Sequence, residues 1–137
     1  MAFFGLGKEA KIDTPEKALM LACYTMLFVD ETPDENKITL LENINKSGKE
    51  LDKSPDYKNA VKFFDKHDFK DCAIAISEEL NQDECNSVFV NLVDFALADG
   101  DISDEEEALL NLYANALDID EDLINGTLAV MSIKNYF

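Results

Sequence analysis

Apolar residues recur through most of the chain at the three- and four-residue spacing of amphipathic α-helices. Within residues 82–96 the apolar positions on this period are Cys85, Val88, Phe89, Leu92 and Ala96. The segments 108–116 and 123–131 follow the same period. The one Asn-Gly pair, at 125–126, lies inside the last segment and weakens the prediction of a helix there. The pattern predicts an all-α fold, a compact single domain of about seven short helices.

Residues that favour helix N-termini stand before each apolar segment. The predicted N-caps are Thr14, Thr32, Ser54, Asp68, Asn81, Ser103 and Asp120. Glu35, Glu84 and Glu106 lie three residues after their caps, which is the spacing of a capping box. The pair Ser47-Gly48 predicts the end of the second helix.

The longest apolar stretch, residues 18–29, is 12 residues long and interrupted only by Thr25. It is too short to span a bilayer and predicts a buried core helix. The first 13 residues lack the long apolar run of a signal peptide, so we expect an N-terminal arm and a cytoplasmic protein. Five aromatic residues at core spacing are expected to be packing residues: Phe63, Phe64, Phe89, Phe95 and Tyr113.

The three cysteines, Cys23, Cys72 and Cys85, show no CxxC spacing, and the chain has a single histidine. This composition argues against a Cys/His zinc site. Buried free thiols in a reducing compartment are the expected state.

The net charge of −17 is distributed unevenly along the chain. Residues 1–70 carry 11 lysines against 13 acidic residues, whereas residues 71–137 carry 1 lysine against 16. The sequence also lacks arginine. Binding to nucleic acid or to anionic lipid is therefore not expected. The acidic half is suited to cations or to a basic partner, although acidity can also serve solubility alone.

Two segments of the chain share one pattern: residues 23–41, CYTMLFVDETPDENKITLL, and residues 91–110, NLVDFALADGDISDEEEALL. Each has an apolar helix that ends in an aspartate, a hydroxyl N-cap, acids in the next turn and an apolar pair. The pattern suggests a duplicated helix-loop-helix, with copies near 15–45 and 82–117, whose long helices pack as a pseudo-symmetric pair. Two independently capped helix pairs are the alternative.

The loop ADGDISDEEE matches only the second half of an EF-hand. With Asp99 and Gly100 at loop positions 5 and 6, Glu106 falls at position 12, where an acid is required. Positions 1 and 3 then become Phe95 and Leu97, which cannot ligate a cation. The loop is therefore not an EF-hand.

A capped junction between two helices explains part of this acidic stretch. Acids at 104–106 after the Ser103 cap interact favourably with the helix dipole, and Gly100 suits a helix end. Asp99 and Asp101 are less well explained, because the dipole disfavours an anion at a helix C-terminus. Hard carboxylate oxygens are the ligands that Ca²⁺ prefers, or Mg²⁺ with more water, so both explanations remain open.

The segment ADGDISDEEEALL, echoed by VDETPDENK, resembles the TerB family of bacterial tellurite-resistance proteins. The opening MAFFGLGK and the middle section SPDYKNAVKFFDKHDF are also similar to that family. The resemblance implies an all-helical domain with duplicated acidic motifs and a divalent-metal site. It also implies a place in stress-response gene clusters linked to resistance to tellurite, phage and colicins.

The resemblance assigns metal ligands in both motifs. The second motif gives Asp99, Asp101 and Glu106, with Glu105 beside them. The first gives Asp30 and Glu35, but it departs from the family because Glu31 stands where glycine is usual and the loop is shorter.

We therefore expect a non-enzymatic accessory or sensor protein that binds a divalent cation, with Ca²⁺ preferred over Mg²⁺ or Mn²⁺, in a bacterial stress-response complex. The alternative is a metal-free scaffold whose acidic C-terminal half binds a basic protein partner.

Overall fold

The computed structural model describes residues 10–29, 35–98 and 102–134. Within these ranges the chain forms seven α-helices and no strand, so the predicted all-α fold is confirmed. The helices are α1 (Pro15–Phe28), α2 (Glu35–Ile44), α3 (Pro55–Lys66), α4 (Phe69–Glu79), α5 (Gln82–Ala96), α6 (Asp104–Ala116) and α7 (Glu121–Lys134). A short 3₁₀ helix, Leu51–Lys53, precedes α3.

The central helix is α1, which packs against α2, α3, α4 and α5. Its side chains are buried around most of the circumference, as Leu21, Cys23 and Met26 illustrate. A helix that is apolar on all sides must be covered on all sides, which explains its position in the fold. Within the described ranges, no helix combines the length and the apolar character needed to cross a membrane.

The predicted helix starts are confirmed wherever they fall in the described ranges. Six side chains accept a hydrogen bond from a backbone N–H of the following turn: Thr14, Ser54, Asp68, Asn81, Ser103 and Asp120. Asn81 with Glu84 and Ser103 with Glu106 form complete capping boxes. Each cap contributes about 1 kcal/mol of stability. The predicted cap at Thr32 lies outside the described residues.

The end of α2 differs from the prediction. The helix ends at Ile44, before the Ser47-Gly48 pair. The side-chain amide of Asn45 donates to the backbone carbonyl of Lys49 (2.8 Å), and the backbone N–H of Lys49 donates to Ser47 Oγ (3.2 Å). These short-range bonds offer the backbone an alternative to another helical turn. Gly48, with φ of +77°, lies inside the resulting turn, where L side chains are disfavoured.

The last helix continues through the Asn-Gly pair that weakened its prediction. α7 extends from Glu121 to Lys134 and includes Gly126, around which a β-carbon would meet no atom within 4 Å. Contacts of Leu123, Ile124 and Leu128 with the core stabilise the helix despite the glycine.

The part of the N-terminal arm that the structure describes is docked on α3. Ile12 is buried in the core, and the Lys11 N–H donates to Asn59 Oδ1 (3.2 Å). The amide of Asn59 returns a hydrogen bond to the Lys11 carbonyl (2.9 Å). The preceding residues, 1–9, lie outside the described part of the arm.

The aromatic side chains predicted to pack in the core do so. Phe89, Phe95 and Tyr113 are buried, and Phe63 and Phe64 are partly buried against the core.

One polar pair lies among these apolar groups, with Thr25 Oγ1 and the Tyr113 hydroxyl 2.8 Å apart. Thr25 donates its own proton to the Ala22 carbonyl (2.7 Å), so Tyr113 is the donor to Thr25. Burial raises the pKa of Tyr113, which keeps the phenol neutral.

All three cysteines are free and buried, as expected. Burial raises the pKa of the Cys72 thiol to about 12 and also raises that of Cys23 and Cys85. Their thiols are therefore protonated and poorly nucleophilic at neutral pH.

Candidate metal centre

The first turn of α6 carries four consecutive carboxylates after its Ser103 cap. Asp104, Glu105 and Glu107 are exposed, whereas Glu106 is only 3% exposed. Carboxylates near a helix N-terminus interact favourably with the free N–H groups and the dipole. The exposed three therefore need no partner, and Glu106 is the residue that distinguishes this turn.

Both carboxylate oxygens of Glu106 are engaged. Oε1 accepts from the Ser103 backbone N–H at 2.9 Å, and the Ser103 hydroxyl accepts from the Glu106 N–H at 3.1 Å. Oε2 accepts from the ammonium group of Lys37. Glu106 thus caps its own helix and also neutralises a lysine from a distant part of the chain.

Lys37 lies in the first turn of α2, 69 residues away from Glu106 in the sequence. It is only 6% exposed and lies on the same face of α2 as the fully buried Leu41, four residues later. A buried lysine requires an anionic partner, because an unpaired charge in an apolar environment is very costly. Glu106 supplies that partner, and the pair joins α2 to α6.

This pair was not predicted from the sequence. A signal for its burial does exist: Lys37, Leu41 and Ile44 share the helical spacing of an inward face. The sequence marks Glu106 as a capping acid and a candidate ligand, but it contains no signal that Glu106 meets Lys37, because the pairing depends on how α2 and α6 are arranged.

The ion pair joins the two helices that follow the acidic loops in the sequence. Lys37 and Glu106 are each the third residue of their helix, and each helix directly follows one of the acidic loops. The helices of the two motifs therefore meet in their first turns. The long helices α1 and α5 also pack against each other. Whether the motif copies near 15–45 and 82–117 arose by duplication stays a prediction.

Three of the predicted ligands can be located. Glu35 and Glu105 are exposed at the starts of α2 and α6, and Glu106 is buried in its ion pair. The other three, Asp30, Asp99 and Asp101, lie outside the described residues. Among the residues that the structure does describe, no three His, Cys, Asp or Glu side chains are grouped to hold a metal ion. The complete ligand set stays a prediction.

A model of the family described as tellurite resistance protein TerB matches residues 16–126 of the chain. The chain belongs to the TerB family. Comparisons with curated proteins and with solved structures find no match. The family match spans α1 to α6 almost completely and includes both acidic motifs, so the resemblance inferred from the sequence is confirmed.

The donor chemistry of this TerB domain suits a hard divalent cation. Carboxylate oxygens are the preferred ligands of Ca²⁺ and Mg²⁺, and Glu35 and Glu105 present theirs to solvent. Glu106 can also act as a ligand, provided that its Oε2 no longer accepts a hydrogen bond from Lys37. The candidate site thus combines accessible carboxylates with one that is already neutralised.

The acidic half of the TerB domain carries little compensating charge. Lys134, the only lysine of residues 71–137, donates to Asp94 Oδ2 at 2.7 Å. Of the 14 acidic side chains that the structure describes between residues 71 and 134, 11 are exposed. The surface of this half is therefore strongly negative and attracts cations or basic groups.

Proposed function

We propose that this TerB domain binds a divalent cation at a site formed by its two acidic motifs, and that Ca²⁺ is the preferred ion. In this proposal the domain serves as an accessory or sensor protein in a stress-response complex of the tellurite-resistance type. The observation that carries the proposal is the Lys37–Glu106 pair, which holds the first turns of α2 and α6 together. Carboxylates of both motifs can then contribute to one site.

Ca²⁺ accepts six to eight oxygen ligands in flexible geometry, whereas Mg²⁺ requires a near-ideal octahedron and retains water. A site supplied by two loops from distant parts of the chain favours the more flexible ion. We assign the ligand roles to Asp99, Asp101, Glu105 and Glu106 of the second motif, with Asp30 and Glu35 of the first. When bound, the cation would neutralise carboxylates that repel one another.

Calorimetric titration with Ca²⁺, Mg²⁺ and Mn²⁺ tests this proposal. We expect Ca²⁺ to bind most tightly and the double variant Asp99→Asn, Asp101→Asn to lose binding. The matched control is Asp52→Asn with Asp65→Asn, which removes the same charge from exposed positions outside the two motifs. Binding no tighter than millimolar, or equal affinity in both double variants, would show that the proposed site does not bind cations.

The exposed acids of residues 71–134 favour a second candidate function, a scaffold that binds a basic protein without metal. Such binding depends on exposed charges and is screened by salt. A partner that co-purifies at low salt, is lost at high salt and is indifferent to chelator would support it. Loss of the same partner on chelation would instead favour the cation-dependent function.

A further inference from the structure

We infer that Lys37 competes with the divalent cation for Glu106: its ammonium group holds Glu106 Oε2 in the cation-free protein and leaves that oxygen when Glu106 coordinates the cation. This inference rests on the proposed function and adds a regulatory residue to the same site. The family resemblance did not assign Lys37, and the inference follows from the burial and hydrogen bonds of the pair.

The first step of the argument is that the pair is nearly sealed from water. The side chains of Lys37 and Glu106 are 7% and 4% exposed. Other lysine–carboxylate pairs in the described residues are much more exposed, with 30% and 49% for Lys17 and Asp13. In surroundings with little water, a carboxylate must keep a positive partner at all times.

The second step is that Glu106 holds Lys37 and a divalent cation together only at a high electrostatic cost. Oε1 accepts from the Ser103 N–H and Oε2 from Lys37, so a cation coordinated by either oxygen lies close to the ammonium group. An ammonium group and a divalent cation on one carboxylate repel each other strongly, since like charges in close contact are poorly screened in the interior. Coordination by Glu106 therefore favours the departure of Lys37.

The third step is that Lys37 has a route to solvent. Its ammonium group is carried on a flexible four-carbon stem, which can lie along an apolar surface while the charge reaches water. The neighbouring residues Glu35, Ile38 and Thr39 are exposed, so solvent lies next to this turn of α2. The carboxylate of Glu106 would remain neutralised by the cation and would retain its bond to Ser103.

The exchange has a structural consequence for α2. With Lys37 released, α2 loses its ion pair with α6 but retains the buried Leu41 and its packing against α1. The cation would therefore change how firmly the first turn of α2 is held without unfolding the domain. A sensor requires such a difference between its two states.

Chemical labelling of lysines in the wild-type protein tests the exchange directly. Mass spectrometry measures the acylation rate of each lysine with and without Ca²⁺. We expect Lys37 to be protected without Ca²⁺ and to approach the rate of exposed lysines when Ca²⁺ is saturating. Lys53, whose side chain is 66% exposed, and Lys134, at 57%, serve as internal controls with unchanged rates.

Calorimetry on Lys37→Gln provides the second measurement, with Lys53→Gln as the control that makes the same charge change at an exposed position. Removal of the competitor is expected to tighten Ca²⁺ binding by about tenfold or more, because the cation no longer displaces a buried ammonium group. Lys53→Gln should bind Ca²⁺ with nearly wild-type affinity. If Lys37→Gln fails to fold, the labelling experiment on the wild type still decides.

The outcomes separate this inference from the proposed function. If the wild type binds Ca²⁺ while Lys37 remains protected, or Lys37→Gln binds no more tightly, the competition is wrong and the proposed function stands. If neither protein binds Ca²⁺, both are wrong. Binding by Lys37→Gln alone would contradict both, because the wild-type site would then neither bind Ca²⁺ nor exchange Lys37 for it.

Discussion

Two buried polar pairs anchor α6, and they differ in charge and in surroundings. Tyr113 donates to Thr25 of α1 in the centre of the core, and both residues are fully buried. Glu106, seven residues earlier on the same face of α6, accepts from Lys37 in the first turn of α2. One pair is neutral and lies in the centre of the core, whereas the other is charged and, although buried, lies next to exposed residues in the first turns of α2 and α6.

The difference indicates what each pair contributes. A neutral buried hydrogen bond adds about 1 kcal/mol and fixes how α1 and α6 pack. A buried ion pair adds little net stability, because removing two charges from water costs about as much as their attraction returns. The Lys37–Glu106 pair is therefore better suited to an exchangeable contact than to a permanent one.

The largest effect is expected from Lys37→Met, which leaves the Glu106 carboxylate buried and unpaired. We expect the free energy of unfolding to fall by about 3–5 kcal/mol without Ca²⁺. Urea unfolding followed by circular dichroism measures the change. Saturating Ca²⁺ should restore part of the loss, because the cation takes the place of the ammonium group.

The matched control is Lys37→Met combined with Glu106→Leu, which replaces the ion pair by apolar side chains. We expect this variant to be within about 1–2 kcal/mol of the wild type, with some loss from the capping box. A double variant as unstable as the single one would show that the pair supplies net stability, contrary to the comparison.

Alkaline pH tests the neutral core region. Burial raises the folded pKa of Cys72 to about 12. Between the unfolded and the folded pKa, the thiol is therefore protonated in the folded protein and ionised in the unfolded chain. Its stabilising contribution is complete below the unfolded pKa and is lost as pH rises through the folded pKa. We expect a loss of about 3 kcal/mol from this thiol between pH 8 and 11, measured by urea unfolding. In Cys72→Ala that part of the pH dependence should disappear.

Tyr113→Phe removes the hydroxyl group of the side chain but leaves the hydrogen bond from Thr25 to the Ala22 carbonyl. We expect a loss of about 1 kcal/mol, the value of one neutral hydrogen bond, and the same loss with or without Ca²⁺. Urea unfolding under both conditions provides the measurement. A loss that depends on Ca²⁺ would mean that the neutral pair also responds to the cation.

The smallest effect is expected at Gly126 in α7, which belongs to neither pair. Because a β-carbon there meets no atom within 4 Å, Gly126→Ala should stabilise the helix by about 0.5–1 kcal/mol. A rise in the thermal midpoint with unchanged Ca²⁺ affinity would agree with this. A change in Ca²⁺ affinity would show that α7 is linked to the metal centre.

The helix starts could be predicted because their causes are local. Ser103 and Asn81 bind backbone groups three residues away, so spacing alone identifies them. The end of α2 lies before the predicted Ser47-Gly48 pair because the side chains of Asn45 and Ser47 form a polar turn ahead of the glycine. The local sequence predicts the end of a helix less well than its start, since any of several neighbouring polar residues can end a helix.

The candidate site was only partly predictable for a different reason. Spacing identified Glu106 as a special acid, both as the third residue after a cap and as a ligand by resemblance. Its partner Lys37 is 69 residues away, and no local period records which lysine reaches it. The spacing of residues in the sequence thus indicated the Glu106 carboxylate. Only the packing of α2 against α6 identified Lys37 as the ammonium group that neutralises it.

The central position of α1 has a consequence for synthesis of the chain. α1 ends at Phe28, but α5, which covers part of it, is complete only at Ala96. At the usual 5–20 residues per second, ribosomes need roughly 3–14 s to produce the residues between these points. The most apolar of the described helices is therefore made before the helices that cover it, and during that interval the nascent chain is most exposed to aggregation.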